Sequence, residues 1–425
     1  MELVPFLYFT ILSLWIYNRN KRKIDIAFII SCIYALSAFF GILLIRFNLV
    51  DVGSVYHGYE TLEATAVYCC LLTVCLFPFI KYPFFKHVNA RPIKDSLPLK
   101  VLAWVGAVWF LILLLFAFQN ILSSLMDASS GKLTNINKGE DMFDVFSVMP
   151  VGLRIPMILL SYLFACSWIF IFLAFYSFAI QRLQKSYFYL FVLASLYSPM
   201  LGILGGDRSK MTYWLITVVV CYLFFKPYFQ ANTKVFLRKV IVFTGSLIIL
   251  YLFITTESRF NDSFSYSTGM LSGSQNSLIA YLGQPYINFC YFYEEFSSGL
   301  MFLGILFPFT FSMFVPNSMV GGVNIQEFFT DSTGVFGGVF YTYLGQIMMA
   351  AGITVVVIFC IVYALSAYNI FGKMKTASLN NMFIYMAFAS VMFLGLFVHF
   401  YTAPKTTFSL FFFLFFFKMI TGKKI

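Results

Sequence analysis

Charge is what this sequence has least of. Lysine, arginine, aspartate and glutamate make up 11% of its 425 residues, against 61% hydrophobic and 21% aromatic. That balance excludes a water-soluble domain, in which about a quarter of residues are charged. Acidic residues are the scarcer kind, 17 against 28 basic ones. Such an excess can mark nucleic-acid binding, but here the basic residues fall in short clusters between apolar runs, so no nucleic-acid partner is expected. A cleavable leader is also lacking: in MELVPFLYFTILSLWIYNRNKRK the basic cluster follows the apolar run and no small-residue cleavage site appears, so the segment reads as an uncleaved first span. A nucleotide P-loop, GxxxxGK[ST], is absent. Eight cysteines are present without a disulfide-framework or zinc spacing. Cys32, Cys69, Cys70, Cys75, Cys166, Cys221 and Cys360 lie in apolar runs as small packing residues, and Cys290 is placed in an external segment.

What remains is long apolar runs. A bilayer-crossing helix needs ~20 mostly apolar residues, and eleven candidates lie near 3–17, 25–45, 62–80, 98–118, 155–180, 187–204, 210–225, 240–254, 338–366, 381–399 and 407–420. The expected fold is an all-α polytopic membrane protein, a single integral domain over 1–425 bathed by lipid. Placing NRNKRK in the cytoplasm puts 20 of the 28 lysines and arginines inside, with the N-terminus outside and the C-terminus inside. The stretches 278–296 and 300–315 are apolar but contain Pro285, Glu294, Glu295 and Pro308, and are expected to lie at the outer interface or to re-enter the protein. The external portions are then loops near 119–154 and 255–337, forming the expected active-site face.

Eight cations fall outside: Arg46, Lys132, Lys138, Arg154, Arg208, Lys210, Arg259 and Lys405. All but the two loop lysines border an apolar span. Each either snorkels to lipid phosphates or converges with others on an anion. The stretch LGGDRSKMTY favours the second reading. Gly205 and Gly206 permit a tight turn, Asp207 or Ser209 can cap a helix beginning near Lys210, and the exposed N–H groups of that helix end, with the Arg208 fork, suit phosphate oxygens. Alternatively Asp207 pairs with Arg208 in an ordinary hairpin.

The remaining candidates are spread along the chain. In TTESRFNDS, Glu257 either neutralises Arg259 or acts as a base; Arg154 sits where a loop re-enters the membrane; Lys405 lies near His399. Glu140, Asp141 and Asp144 match no metal-binding spacing and read as a solvated loop. The segment PNSMVGGVNIQEFFTDSTGVFGG mixes amides, hydroxyls and aromatics, a blend that suits carbohydrate, with Glu327 and Asp331 as its carboxylates.

GGDRSK at the start of a span, ESRF after the next outward span, and a large loop running YLGQPYINF, FPFTFSMFVPNS and DSTGVFGGVFYTYLGQIMMAAG resemble the O-antigen, or polysaccharide repeat-unit, polymerases (the Wzy family). The best matches are Gly205, Gly206, Arg208 and Arg259. The resemblance implies about eleven transmembrane helices of the GT-C-like kind in the cell inner membrane, with a large periplasmic loop at 255–337. It implies transfer of a growing glycan from undecaprenyl pyrophosphate to a lipid-linked repeat unit, without metal, nucleotide sugar or other cofactor. Arg208 and Arg259, helped by Lys210, Arg154 and Lys405, would hold the pyrophosphate; Glu257, Glu327 or Asp331 would deprotonate the acceptor, with His399 in reserve. A chain-length-regulating membrane protein is an implied partner. The alternatives are an O-antigen ligase and, from another class, a lipid-linked oligosaccharide flippase.

Overall fold

The chain is almost wholly helical in the computed structural model, which describes residues 2–47, 58–84, 90–129, 146–147, 149–204, 208–260, 273–296, 342–396 and 404–422. It divides into two compact units, Met1–Lys86 with Ser265–Lys375 and Tyr385–Pro404, and His87–Phe264 with Thr376–Ile384 and Lys405–Ile425.

The first unit opens with a helical hairpin, α1 (Leu3–Arg19) and α2 (Ile26–Arg46). Lys21 and Arg22 take left-handed backbone angles in its turn. Asp25 caps α2 by accepting the Phe28 N–H at 2.8 Å, and the Asn20 amide donates to its other oxygen at 2.6 Å. Next comes α3 (Leu62–Lys81), which packs on α12 (Thr342–Lys373). Against α2 and α3 lies α11 (Gly273–Glu295). It comes so near α2 that a Cβ on Gly283 would stand 2.7 Å from the Phe40 oxygen. Tyr286 shares a hydrogen bond with Thr65 (2.8 Å), and Ser37 donates to the Leu282 carbonyl (2.8 Å). The stretch expected at the interface or re-entering is therefore, over residues 283–292, a buried helix. Cys290, placed outside by the sequence, has no exposed surface there. The helix α12 is interrupted at Gly352, whose φ of 81° only glycine adopts without strain, and all of 342–352 is buried.

The second unit is built on α4 (Leu97–Ser129) and a bent pair, α5 (Val151–Phe164) and α6 (Ser167–Ala179), which meet at 69°. Aromatic α6 is buried nearly all round, by α7 (Lys185–Ser195) and α9 (Arg208–Phe225) among others. Between these lies α8 (Tyr197–Leu204); α10 (Ala231–Phe260) and α14 (Pro404–Thr421) follow. Phe383, near the start of α13 (Leu379–Leu394), packs on Trp168 and Phe417. A two-residue parallel ladder joins β1 (Ala90–Arg91) to β2 (Ala377–Ser378). Beside it the Gln181 amide accepts the Ile93 N–H (2.9 Å) and donates to the Ile93 carbonyl (3.0 Å).

Among the described residues, seven helical stretches are long and apolar enough to cross a bilayer, and the bent pair makes eight. Three of the eleven expected spans form helices that fall short. The 17 residues of α1 and 16 of α13 rise only about 24–26 Å, against ~30 Å of hydrocarbon. The 18 residues of α14 include Lys405 and Lys418. The expected span 155–180 is broken, not continuous. Both expected external loops are also shorter, because α4 runs on to Ser129 and α10 to Phe260.

Candidate functional site

Arg154, Arg208, Lys210, Glu257, Arg259 and Lys405 all belong to the second unit. Gly205, Gly206 and Asp207, with Glu327, Asp331, His399 and the acidic set Glu140, Asp141 and Asp144, lie outside the described residues.

Helix α8 ends at Leu204, α9 begins at Arg208, and the two helices pack together. Arg208 is the first helical residue, not a residue ahead of the helix, and Ser209 follows it inside the first turn. Capping from Ser209 is thereby removed. Lys210 is half-buried.

Helices α9 and α10 form an antiparallel hairpin. Tyr222 donates to the Lys234 carbonyl at 3.5 Å, and a Cβ on Gly245 would lie 3.6 Å from the Leu215 side chain. Glu257 and Arg259 are on a helix rather than in a loop.

Helix α4 runs parallel to α7 and α8. A Cβ on Gly106 would meet that of Ala194 at 3.1 Å, and the Trp109 and Tyr197 rings are 4.7 Å apart. The same register sets Phe116 beside Leu204 and Gln119 and Asn120 just beyond it. An open groove of about 700 Å³ follows this length of α4, lined by Leu111, Leu115 and Phe118 and, at its far end, by Gln119 and Asn120. Leu111, Leu115 and Phe118 are exposed, on the face of α4 away from Gly106 and Trp109.

Arg154 and Lys405 have contacts of their own. Trp109 Nε1 donates to the Met157 carbonyl at 3.4 Å, one turn from Arg154. Arg154 itself donates from Nε to the Phe146 carbonyl at 2.7 Å and from Nη2 to the Ser147 carbonyl, so it holds the segment before α5. The Lys405 ammonium stands over the Tyr162 ring, 5.0 Å from its centre. One turn on, buried Ser409 accepts the Cys166 N–H at 3.3 Å and donates to the Leu163 carbonyl at 2.6 Å. A single hydroxyl thus serves both sides of the α5–α6 break.

Sequence reasoning missed Gln119 and Asn120 by assigning them to a loop. The signal was that helix-forming residues continue beyond them through NILSSLMDAS. It also missed the carboxylates that the first unit gathers: Thr61 donates to Glu294 and Tyr293 to Glu63, both at 2.6 Å. Among the described residues no three His, Cys, Asp or Glu side chains come together as metal ligands.

Buried apolar and aromatic helices of spanning length define an all-α polytopic membrane protein. The sequence matches no protein-family model, no curated protein and no solved structure.

Proposed function

We propose that this protein is a glycosyltransferase of the inner membrane that polymerises undecaprenyl-pyrophosphate-linked repeat units on the outer face, as the resemblance to the Wzy family implies. The observation that supports this best is that the second unit holds both the candidate cations Arg154, Arg208, Lys210, Arg259 and Lys405 and an open groove along α4 that is apolar at Leu111, Leu115 and Phe118 and polar at Gln119 and Asn120. Cations and an apolar surface are the chemistry that a lipid-linked diphosphate asks for. The start of α9 adds a partial positive charge.

In the reaction an acceptor hydroxyl attacks the anomeric carbon of the donor. The new glycosidic C–O bond forms as the bond to the pyrophosphate oxygen breaks. The hydroxyl proton passes to a base, for which Glu257, Glu327, Asp331 and His399 are the candidates, and the leaving pyrophosphate takes the electron pair. Donors already in place for that charge commonly contribute ~3–4 kcal/mol each to lowering the barrier. Arg208 and Arg259 are the first candidates, helped by Lys210, Arg154 and Lys405. No metal or nucleotide is required. Eleven spans, an outer N-terminus and a chain-length-regulating partner belong to the same proposal.

The test is Arg208→Ala in cells lacking the native protein. Loss of long-chain glycan, with single repeat units still attached to the lipid core and the variant present in the membrane, is expected. Complete loss of attached glycan identifies a ligase instead. Normal chains sink the assignment of Arg208.

A second reading, a lipid-linked oligosaccharide flippase, is favoured by the two interrupted helices, at Gly352 and at the 69° break, because transporters use such discontinuities. Protein-dependent loss of a fluorescent polyprenyl-pyrophosphate lipid from the outer leaflet of proteoliposomes is the result that would select it.

A further inference from the structure

We propose that the α1–α2 turn binds one anionic phospholipid, with Lys21 and Arg22 holding its phosphate and an acyl chain lying along the exposed face of α1 at Leu14, Ile11 and Leu7. The inference goes beyond the proposed transfer reaction and does not depend on it. Three observations carry it.

The first is how charge is sorted in the turn. Arg19, Lys21, Arg22 and Lys23 follow one another almost without interruption, and all are exposed. The nearest acid in the chain, Asp25, is buried instead, and its oxygens are taken by the Phe28 N–H and the Asn20 amide. The surface of the turn therefore carries positive charge, the complement of a phosphate anion. Such a cluster directly beside an apolar helix draws anionic lipid headgroups.

The second is the backbone. Lys21 and Arg22 have φ of 53° and 62°, a region that residues other than glycine seldom occupy. They are held there by the Arg22 N–H donating to the Tyr17 carbonyl (2.9 Å), and by the Lys21 and Lys23 N–H groups donating to the Asn18 and Asn20 carbonyls, both at 3.1 Å. Strain of this sort persists where the surroundings impose it, and it collects at ligand-binding positions. Here it fixes two adjacent cations in one geometry before any lipid arrives, so binding has less left to order.

The third is depth. The Arg19 guanidinium stands over the Trp15 ring, 5.1 Å from its centre. Trp15 is exposed, and tryptophan at the end of an apolar helix marks the boundary between headgroups and hydrocarbon. Beyond it Leu14, Ile11 and Leu7 are exposed on one face of α1, so an apolar surface runs on from the cations. That continuity selects a lipid over a soluble anion.

The experiment uses the full chain reconstituted into phosphatidylcholine bilayers with a rising fraction of brominated phosphatidylglycerol or, in parallel, brominated phosphatidylcholine. Bromine quenches tryptophan on contact, and the signal of Trp15 is the difference between wild type and Trp15→Phe. Quenching is expected at a roughly tenfold lower fraction of phosphatidylglycerol, since each cation near the headgroups contributes about fivefold. Lys21→Asn/Arg22→Asn removes both charges, and asparagine tolerates the left-handed backbone, so the turn is retained. That variant is expected to lose at least about fivefold of the preference, while its quenching by phosphatidylcholine is unchanged, which doubles as the check on folding. Arg238→Gln/Lys239→Gln, exposed cations on α10, is expected to leave the preference intact. A wild type that prefers neither lipid overturns the proposal, as does a fall of less than about twofold in the Lys21/Arg22 variant. An equal loss in the α10 variant does the same, because attraction to net charge alone would then account for the preference. Excess inorganic phosphate is expected not to relieve the quenching; if it does, the turn takes a free anion and the lipid assignment fails.

Discussion

Ser409→Ala removes the hydroxyl that serves both sides of the α5–α6 break. In the native protein it accepts from Cys166 N–H and donates to Leu163 C=O, and the serine has no exposed surface. Alanine fits the same space and leaves both backbone groups without that partner, in an apolar setting where water does not replace it. Each such group costs about 1–3 kcal/mol. The carbonyl bond, at 2.6 Å, is the stronger of the two, and a loss of about 2–4 kcal/mol is expected. A control lies one helix away. Ser177 is equally buried, but its hydroxyl donates only to the Ala174 carbonyl of its own helix, at 2.9 Å. Ser177→Ala is expected to lose no more than about 1 kcal/mol. Unfolding of the purified variants in mixed detergent micelles, followed by tryptophan fluorescence, measures both; Trp168 beside the break is a natural reporter. Equal stability losses for the two serines would refute the view that one side chain holds the break together.

Gly283→Ala drives a methyl group to 2.7 Å from the Phe40 oxygen and 2.8 Å from the Gly41 nitrogen, both backbone atoms that cannot swing aside. A loss of about 1–3 kcal/mol follows, whereas Gly152→Ala, with nothing within 4 Å, is expected to be neutral in the same assay. Asp25 provides a pH prediction. Burial pushes its carboxyl up from 3.8 to about 6, against the lowering effect of the Phe28 N–H, the Asn20 amide and Arg19. The folded protein therefore holds that proton more tightly than the unfolded chain. Stability is fullest below pH 3.8 and is lost as pH rises through about 6, by about 3 kcal/mol at 1.36 kcal/mol per unit. Stability curves measured from pH 4 to 7 should slope downward in wild type relative to Asp25→Asn; parallel curves would contradict the assignment.

Much of the architecture could be read residue by residue. Apolar runs located the helices, and the NRNKRK cluster marked the α1–α2 turn. Other features depend on distant partners. The stretch around Pro285, Glu294 and Glu295 was expected at the outer interface or re-entering the protein. Residues 283–292 are buried, and Glu294 and Glu295 exposed, because Gly41 and Gly283 let two backbones touch and Thr65 meets Tyr286. The break in 155–180 is likewise set by a serine 243 positions away. The contacts of individual cations were not legible either: Arg154 is engaged with the segment before α5, and Lys405 with the Tyr162 ring.

The sequence by itself determined the class of protein and the positions of most helices, because hydropathy and charge act through solvent on each segment separately. Only the tertiary structure decided which helices are broken or buried and which distant side chains bond to one another. Those depend on helix length and register, which are set by side chains hundreds of residues apart meeting in one packed core.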